Sequence, residues 1–401
     1  MNQIITSPLD LDFYKITMQA AVYKFYNDVE VEYEFTCRTP GIDFTECFPE
    51  IEEQVLALEN LRFSDDDIKY LRTIPFLPDA YLRYLSGCRL YPKDEVKMKL
   101  NDGEGGCLEI KIKGPWLTTI LYETMILSIV NECYFDKTYG NIKEKLLVEG
   151  YSRIKNKIEY IKNKEKEIWT FKDNFKFAEF GTRRRFSKYQ QHAVIAAFMN
   201  ENITEMVGTS NVLFAKEFGI KPIGTMAHEW IMAHAGFTRF DFSQKLALQK
   251  WLELYGDNLG ICLTDTYGTQ KFIQDFDVNL ARAFNGVRHD SGDPIVWTAE
   301  ILKMYMKLHI SEKDKQIVYS DGLTVEDAVN LFIKYYPMFK MSFGIGTSLS
   351  NDMGVPALNI VIKMIMSNGF PCIKTSDVEG KVMCPNGNWK IFVTEFLKNR
   401  G

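Results

Sequence analysis

Between Lys221 and His234 the chain reads K-P-I-G-T-M-A-H-E-W-I-M-A-H, which sets His228 where an extended segment hands over to a helix, with Glu229 in the helix's first turn. A histidine held there is nucleophilic when neutral and changes charge with modest changes of surroundings. Packing or capping is the competing reading for such a residue. Zinc is excluded by spacing, because His228 and His234 lie six apart, whereas H-E-x-x-H presents its ligands at i and i+4 on one helix face.

A second constellation is R-H-D-S-G-D-P, residues 288–294. Arg288 offers a cation for phosphate. Asp290, and Asp293 beyond it, offer carboxylates for a sugar hydroxyl, a metal or a developing positive charge. In F-G-T-R-R-R, residues 180–185, up to three guanidinium groups follow an aromatic at a strand end; a solvated turn is the alternative. Ser320-Asp321-Gly322 and the run Gly344, Ile345, Gly346, Thr347, Ser348 bring backbone N–H groups and hydroxyls that can cradle a phosphate monoester. Asp265, in T-D-T-Y-G-T, suits a divalent metal or a ribose, or else caps a helix.

These residues need a scaffold that collects them at one end. With 401 residues, 46% of them hydrophobic, the chain can bury a large core in one big α/β domain and a smaller one. A net charge of −5 gives no general attraction to nucleic acid or an anionic membrane, so anion binding must be local. Eight cysteines without C-x-x-C spacing point to free thiols in a reducing compartment. With no leader-like start and no run of 18 apolar residues, the expectation is a soluble cytoplasmic protein.

Near the start, residues 11–25 read as an amphipathic helix, and V-E-V-E-Y-E-F-T, residues 29–36, as a half-buried strand. Residues 97–100 and 108–113 flank N-D-G-E-G-G as a hairpin, and Gly114-Pro115 opens a long helix to about residue 134. These pieces form a small antiparallel α+β domain. Residues 141–167 read as a helix whose apolar residues at 142, 146, 147, 151, 154, 158 and 161 turn inward and whose other, lysine-rich face is solvated, bridging to the second domain. From Phe175 seven short runs end in Gly, Thr, Ser or charged residues with helical patterns between them, which is the signature of a parallel (β/α) barrel whose strand ends build the active site. No G-x-G-x-x-G is present, which disfavours a dinucleotide fold.

Taken in order, D-L-D-F-Y-K-I-T-M (10–18), F-A-E-F-G-T-R-R-R, G-T-S-N (208–211), G-T-M-A-H-E-W, R-H-D-S-G-D-P, S-D-G, F-G-I-G-T and A-L-N-I-V-I-K (357–363) closely resemble the bacterial type of the nicotinate phosphoribosyltransferase family. The resemblance implies an α/β fold: an irregular (β/α) barrel over about 141–364, with a sandwich domain over about 1–140 completed by about 365–401. It implies conversion of nicotinate and phosphoribosyl pyrophosphate to nicotinate mononucleotide and pyrophosphate. The reaction would be coupled to hydrolysis of ATP through a phosphohistidine at His228, with Mg2+ held mainly by the substrate phosphates. By the same carry-over Arg288 and Asp290 join His228 as catalytic residues, and Phe180 stacks on the pyridine ring with Tyr14 of a neighbouring subunit on its other face, as in a homodimer with shared sites. Thr182, Arg183, Ser210, Asp265, Ser320, Asp321, Gly322, Gly344, Gly346 and Thr347 complete the substrate site. Ser210 stands where nicotinamide-using relatives, the runner-up reading, carry an aspartate; capping of the following helix is its structural alternative. A regulatory protein with a dead site is the third reading. His289 has no role that the residues define.

Overall fold

The alternation from Val29 onward forms β1 (Glu30–Cys37), with Val31, Tyr33 and Phe35 inward and the intervening glutamates outward. In this computed structural model, which describes residues 3–101, 106–377, 382 and 384–398, β1 is the centre of an antiparallel sheet. Its neighbours are β3 (Cys107–Pro115), itself paired with β2 (Val96–Asn101), and β11 (Ile360–Ser367), which continues to the short β12 (Phe370–Pro371). The register sets Val31 opposite both Gly114 and Ser367. The last part of the chain thus enters the small sheet from Ile360 onward. The tip of the expected N-D-G-E-G-G turn, and residues 378–381 and 383 of the final segment, lie outside the described residues.

The second sheet is parallel and seven-stranded: β4 (Phe177–Glu179), β5 (Met206–Thr209), β6 (Lys221–Pro222), β7 (Ile261–Leu263), β8 (Gly286–His289), β9 (Gln316–Tyr319) and β10 (Lys340–Ile345). Its order is β6-β5-β4-β10-β9-β8-β7, which is barrel order because the first strand pairs with the last. The ring is unpaired between β6 and β7. There the Thr225 hydroxyl donates to the Ile261 carbonyl at 2.9 Å, and the Thr17 hydroxyl donates to the Thr225 carbonyl at 2.6 Å, so side chains bridge the seam in place of a strand ladder.

Thr17 belongs to the helix Phe13–Phe25, which departs from the amphipathic expectation. Every residue from Phe13 to Val22 is buried. The helix is wedged between the two sheets, and its polar residues find partners on both sides. Lys15 is fully buried against Glu123, 2.6 Å away, and Glu229. Glu229 also accepts hydrogen bonds from Tyr33 at 2.6 Å and Trp116 at 2.8 Å. Burial opposes ionisation of Glu123, but Lys15 above all, then Arg183, holds its pKa below the usual value. Replacing Lys15 with methionine would strand two buried carboxylates, so Lys15→Met is expected to lower unfolding free energy by about 3–5 kcal/mol. Urea unfolding measures the loss, and adding Glu123→Gln and Glu229→Gln to the variant should restore much of it.

Two further elements differ in detail from expectation. The helix after Pro115 is broken into Trp116–Thr119 and Tyr122–Tyr139. The bridging helix Lys143–Glu167 buries Gly150 where Tyr151 was expected inward, because a Cβ at Gly150 would stand 2.6 Å from the Met353 sulfur. All eight cysteines are unpaired. Among the described residues no helix is long and apolar enough to cross a membrane.

Candidate active site

A cavity of about 310 Å³ lies between the C-terminal ends of the barrel strands and the small sheet. Beyond β4 the chain brings Phe180, Arg183 and Arg184 to it, beyond β5 Ser210, and beyond β6 His228. β8 and its end supply Arg288 and Asp290; the turn after β9 supplies Ser320, Asp321 and Gly322; the turn after β10 supplies Gly346 and Thr347. The N-terminal helix adds Tyr14 and the residue before it Asp12, β11 adds Lys363, and the segment after β12 adds Lys374. Tyr14 therefore lies on the cavity of its own chain, where a neighbouring subunit had been expected to supply it.

Three expected residues stand behind the wall. Thr182 is fully buried, its hydroxyl oxygen accepting from Gln191 at 3.0 Å. Gly344 lies within β10, where a Cβ would come within 2.4 Å of the Phe180 ring, so this glycine gives the aromatic its seat. Asp265 is buried beside His228 and accepts from Ser291 at 2.7 Å and Lys374 at 2.9 Å, while its Oδ1 has no hydrogen-bond partner. It caps no helix; Gly268 precedes the helix Thr269–Asp275.

The arginine run divides by role. Arg183 remains at the cavity with Glu123 at 3.6 Å, and Arg184 donates to the Ile360 carbonyl at 3.0 Å. Arg185 turns away, fully buried, and bonds Asp10 at 2.6 and 3.0 Å and Glu132 at 2.7 Å, so the expectation of three cations at the substrate reduces to two. Asp293 likewise is a cap, accepting from the Ile295 and Val296 amides at the start of the helix Pro294–Lys307. The Ser348 hydroxyl is spent on the Leu323 carbonyl at 2.5 Å. His289 packs between Trp297 and Tyr319, with neither ring nitrogen hydrogen-bonded among the described residues.

His228 opens the short helix His228–Ala233. Its Nε2 lies 2.9 Å from Asp290 Oδ2 and 3.7 Å from Asp265 Oδ1, and its Nδ1 lies 3.0 Å from the Thr266 hydroxyl. Burial first, then Lys374, pushes the ring's pKa down to about 4 against the pull of both aspartates. The ring is therefore neutral at physiological pH. Asp290 is held well below the usual carboxylate range, since Arg288 and the His228 hydrogen bond overcome its burial. An ionised Asp290 only accepts, so Nε2 carries the proton and Nδ1 keeps the lone pair. The ligand atoms of His228, Asp265 and Asp290 lie within 4.8 Å of one another. The two carboxylates suit a hard cation that takes the rest of its shell from phosphate.

Ser210 does not cap the following helix. Asn211 does, accepting from the Phe214 amide at 3.1 Å, while the Ser210 hydroxyl donates to Asp12 at 2.5 Å. Residues 175–400 match the model of the nicotinate phosphoribosyltransferase family, and residues 9–131 match that family's N-terminal domain. The chain belongs to the nicotinate phosphoribosyltransferase family. It is 40% identical over 382 residues to the nicotinate phosphoribosyltransferase of Burkholderia mallei, covering 95% of this chain and 94% of that one. It is 38% identical over 383 residues to that of Xanthomonas campestris, covering 95% and 93%. Among solved structures, nicotinate phosphoribosyltransferase from Vibrio cholerae superposes with a TM-score of 0.93 at 37% identity, covering 99% of this chain and 94% of that one. A putative nicotinate phosphoribosyltransferase from Saccharomyces cerevisiae superposes with a TM-score of 0.85 at 36% identity, covering 99% of each chain.

Several residues on or just behind the cavity wall of this family member were not picked out from the sequence. Lys363 is one cation in an apolar strand; burial first, then Arg183 and Lys374 against Glu123, brings its pKa down to about 8. Glu179 lies beneath Phe180, accepting from the Thr209 hydroxyl at 2.6 Å and the Gly181 amide, with its pKa pushed by burial up to about 7. The lone charge in I-V-I-K-M-I-M marks Lys363 in retrospect. Nothing local marks Glu123 or Lys374.

Proposed function

We propose that the chain is a nicotinate phosphoribosyltransferase that makes nicotinate mononucleotide, coupled to ATP through a phosphohistidine at His228. The observation that carries this reading is the joint placement of Phe180, Ser210 and Arg183 with Arg288, Asp290 and the glycine-rich turns around a single cavity, with a neutral His228 beside Asp290. Phe180 gives the pyridine ring a face to stack on, with Tyr14 of the same chain nearby. Arg288, the Ser320–Gly322 turn and the Gly346–Thr347 turn take the phosphates. As the bond from ribose C1 to pyrophosphate breaks and the pyridine nitrogen bonds to C1, positive charge grows on the sugar and negative charge on the leaving group. Asp290 meets the first and Arg288 the second. The substrate nitrogen is the nucleophile, so no general base is required.

In the ATP half of the cycle, the His228 Nδ1 lone pair takes the γ-phosphoryl group with loss of ADP, exchanging the Thr266 hydrogen bond for the new bond. Asp290 holds the Nε2 proton and stabilises the positive ring. Water later releases phosphate and restores the histidine. Mg2+ fits this site through the phosphates and one or two carboxylate oxygens of Asp265 and Asp290. When bound it would neutralise the pyrophosphate.

Mixing the protein with labelled nicotinate, phosphoribosyl pyrophosphate and Mg-ATP should yield the labelled mononucleotide. Labelled nicotinamide in its place should react far more slowly; faster use of nicotinamide would support the runner-up, and use of neither a dead site. Selectivity is expected to depend on Ser210. An aspartate there would face both Asp12 and the substrate carboxylate, so Ser210→Asp should lower kcat/KM for nicotinate by about a thousandfold, while Asn211 still caps the helix. A variant with wild-type kinetics toward nicotinate would remove Ser210 from the account.

A further inference from the structure

Asp12 lines the cavity beside Ser210 and Arg183, and the reaction above leaves its carboxyl without a task. It is 2% exposed. Oδ1 accepts from the Ser210 hydroxyl, and Oδ2 makes no well-formed hydrogen bond among the described residues, although the Thr182 hydroxyl lies close enough to favour the ionised carboxyl. The backbone on either side is zipped to the end of β5: the Phe13 amide donates to Ser210 at 2.7 Å and the Val212 amide to Leu11 at 3.0 Å. The carboxyl is thus fixed in place with one oxygen short of a well-formed hydrogen bond.

Its charged and titratable neighbours are Arg183, whose Nε is 3.9 Å from Oδ2, and, farther off, Glu123, Glu179 and Tyr14. Arg183 is also the cation beside Glu123, so one guanidinium already serves two buried carboxylates. A substrate carboxylate entering here would be a third. Two carboxylates crowded into one buried site cannot both stay ionised, and the pair holds a proton instead. Burial already acts in that direction, raising the pKa of Asp12 against the opposition of Arg183. Ser210 cannot supply the missing donor, since its only proton lies on Asp12.

We propose that Asp12 takes up one proton from solvent as the pyridine substrate enters and, through the O–H so formed at Oδ2, donates a hydrogen bond to the substrate's carboxylate. This rests on nicotinate being the substrate. No substrate bond is made or broken in the step, and the proton returns to solvent when the product leaves. Ser210 is then a positioning residue that turns Oδ2 toward the ring. A carboxamide substrate needs no such proton, because an ionised Asp12 can accept from its NH2 group; discrimination between the two pyridines therefore shifts with pH.

The test is isothermal calorimetry of nicotinate with the full chain, Mg2+ and pyrophosphate present, in two buffers of different ionisation enthalpy, together with KM against pH. Uptake of about one proton per nicotinate is expected, with KM for nicotinate rising about tenfold per pH unit above the Asp12 pKa. In Asp12→Asn the amide donates without titrating, so uptake should vanish and the KM profile flatten. Ser210→Ala, which removes a hydrogen bond favouring the ionised form, should move the break to higher pH. Nicotinate consumed with no proton uptake between about pH 6 and 9, uptake unchanged in a folded Asp12→Asn, or an unmoved break in Ser210→Ala would each overturn the assignment while leaving the proposed function standing. Nicotinate consumed at no pH would overturn the proposed function and this inference with it.

Discussion

Replacing His228 with asparagine is expected to leave no acid-labile, base-stable phosphate on the chain after incubation with γ-labelled ATP. The amide can still donate to Asp290, so the pocket should keep its shape while losing the ring proposed to accept phosphoryl. ATP stimulation should disappear entirely, and slow ATP-independent transfer should persist. Label retained by the variant would show that another residue is phosphorylated. The same substitution has a signature in stability. His228 titrates at about 4 in the folded chain against 6.5 ordinarily, so as pH falls through that interval the unfolded chain binds a proton that the folded chain refuses. The folded state loses stability over that window, and His228→Asn should remove this part of the loss.

The second large effect is expected at Arg288. Its Nε is buried without a hydrogen-bond partner among the described residues, and its Nη2 lies 4.0 Å from Asp290, so among those residues much of its donor capacity is uncommitted. Losing such a cation from an anion site costs about 2–5 kcal/mol, which is a roughly 30- to 4000-fold rise in the Kd for phosphoribosyl pyrophosphate at about 1.4 kcal/mol per tenfold. Arg288→Ala also takes away the main charge that keeps Asp290 ionised, so the pH below which activity falls should move upward. Unchanged binding in a folded variant would place Arg288 outside the phosphate site.

Much of this arrangement is legible from residue order, because a parallel barrel places each strand's last residues at one end whatever the details of the helices. That rule brings His228, Arg288, Asp290, Ser320 and Gly346 together without knowledge of a single distance. Where a side chain points is a different matter. Arg183, Arg184 and Arg185 are identical in type, yet the last is claimed by Asp10 and Glu132 from distant parts of the chain. Ser210 and Asn211 are both good caps, and only the bond to Asp12 decides which of them takes the helix. The helix Phe13–Phe25 misleads for a related reason. Its polar residues resemble a solvated face, and Lys15 becomes an interior group only because Glu123 and Glu229 meet it there. Lys363 shows only as a lone charge in an apolar strand and Lys374 not at all, because β11 and the segment after β12 bring them to the cavity from the other sheet.

The pairing of β1 with β11 also sets a schedule. Val31 waits for Ser367, so during synthesis the first sheet stays two strands short until β11 and β12 have been made, with the edge of β1 open to the wrong neighbours meanwhile. The barrel strands come off in sequence and can pair as they emerge, but the cavity above them receives Lys363 only when β11 docks. A ribosome that stalls before Ile360 therefore releases a chain without that cation and with a naked strand edge, one marked for aggregation or disposal rather than for partial activity. One late strand therefore both covers the open edge of the small sheet and closes part of the cavity wall.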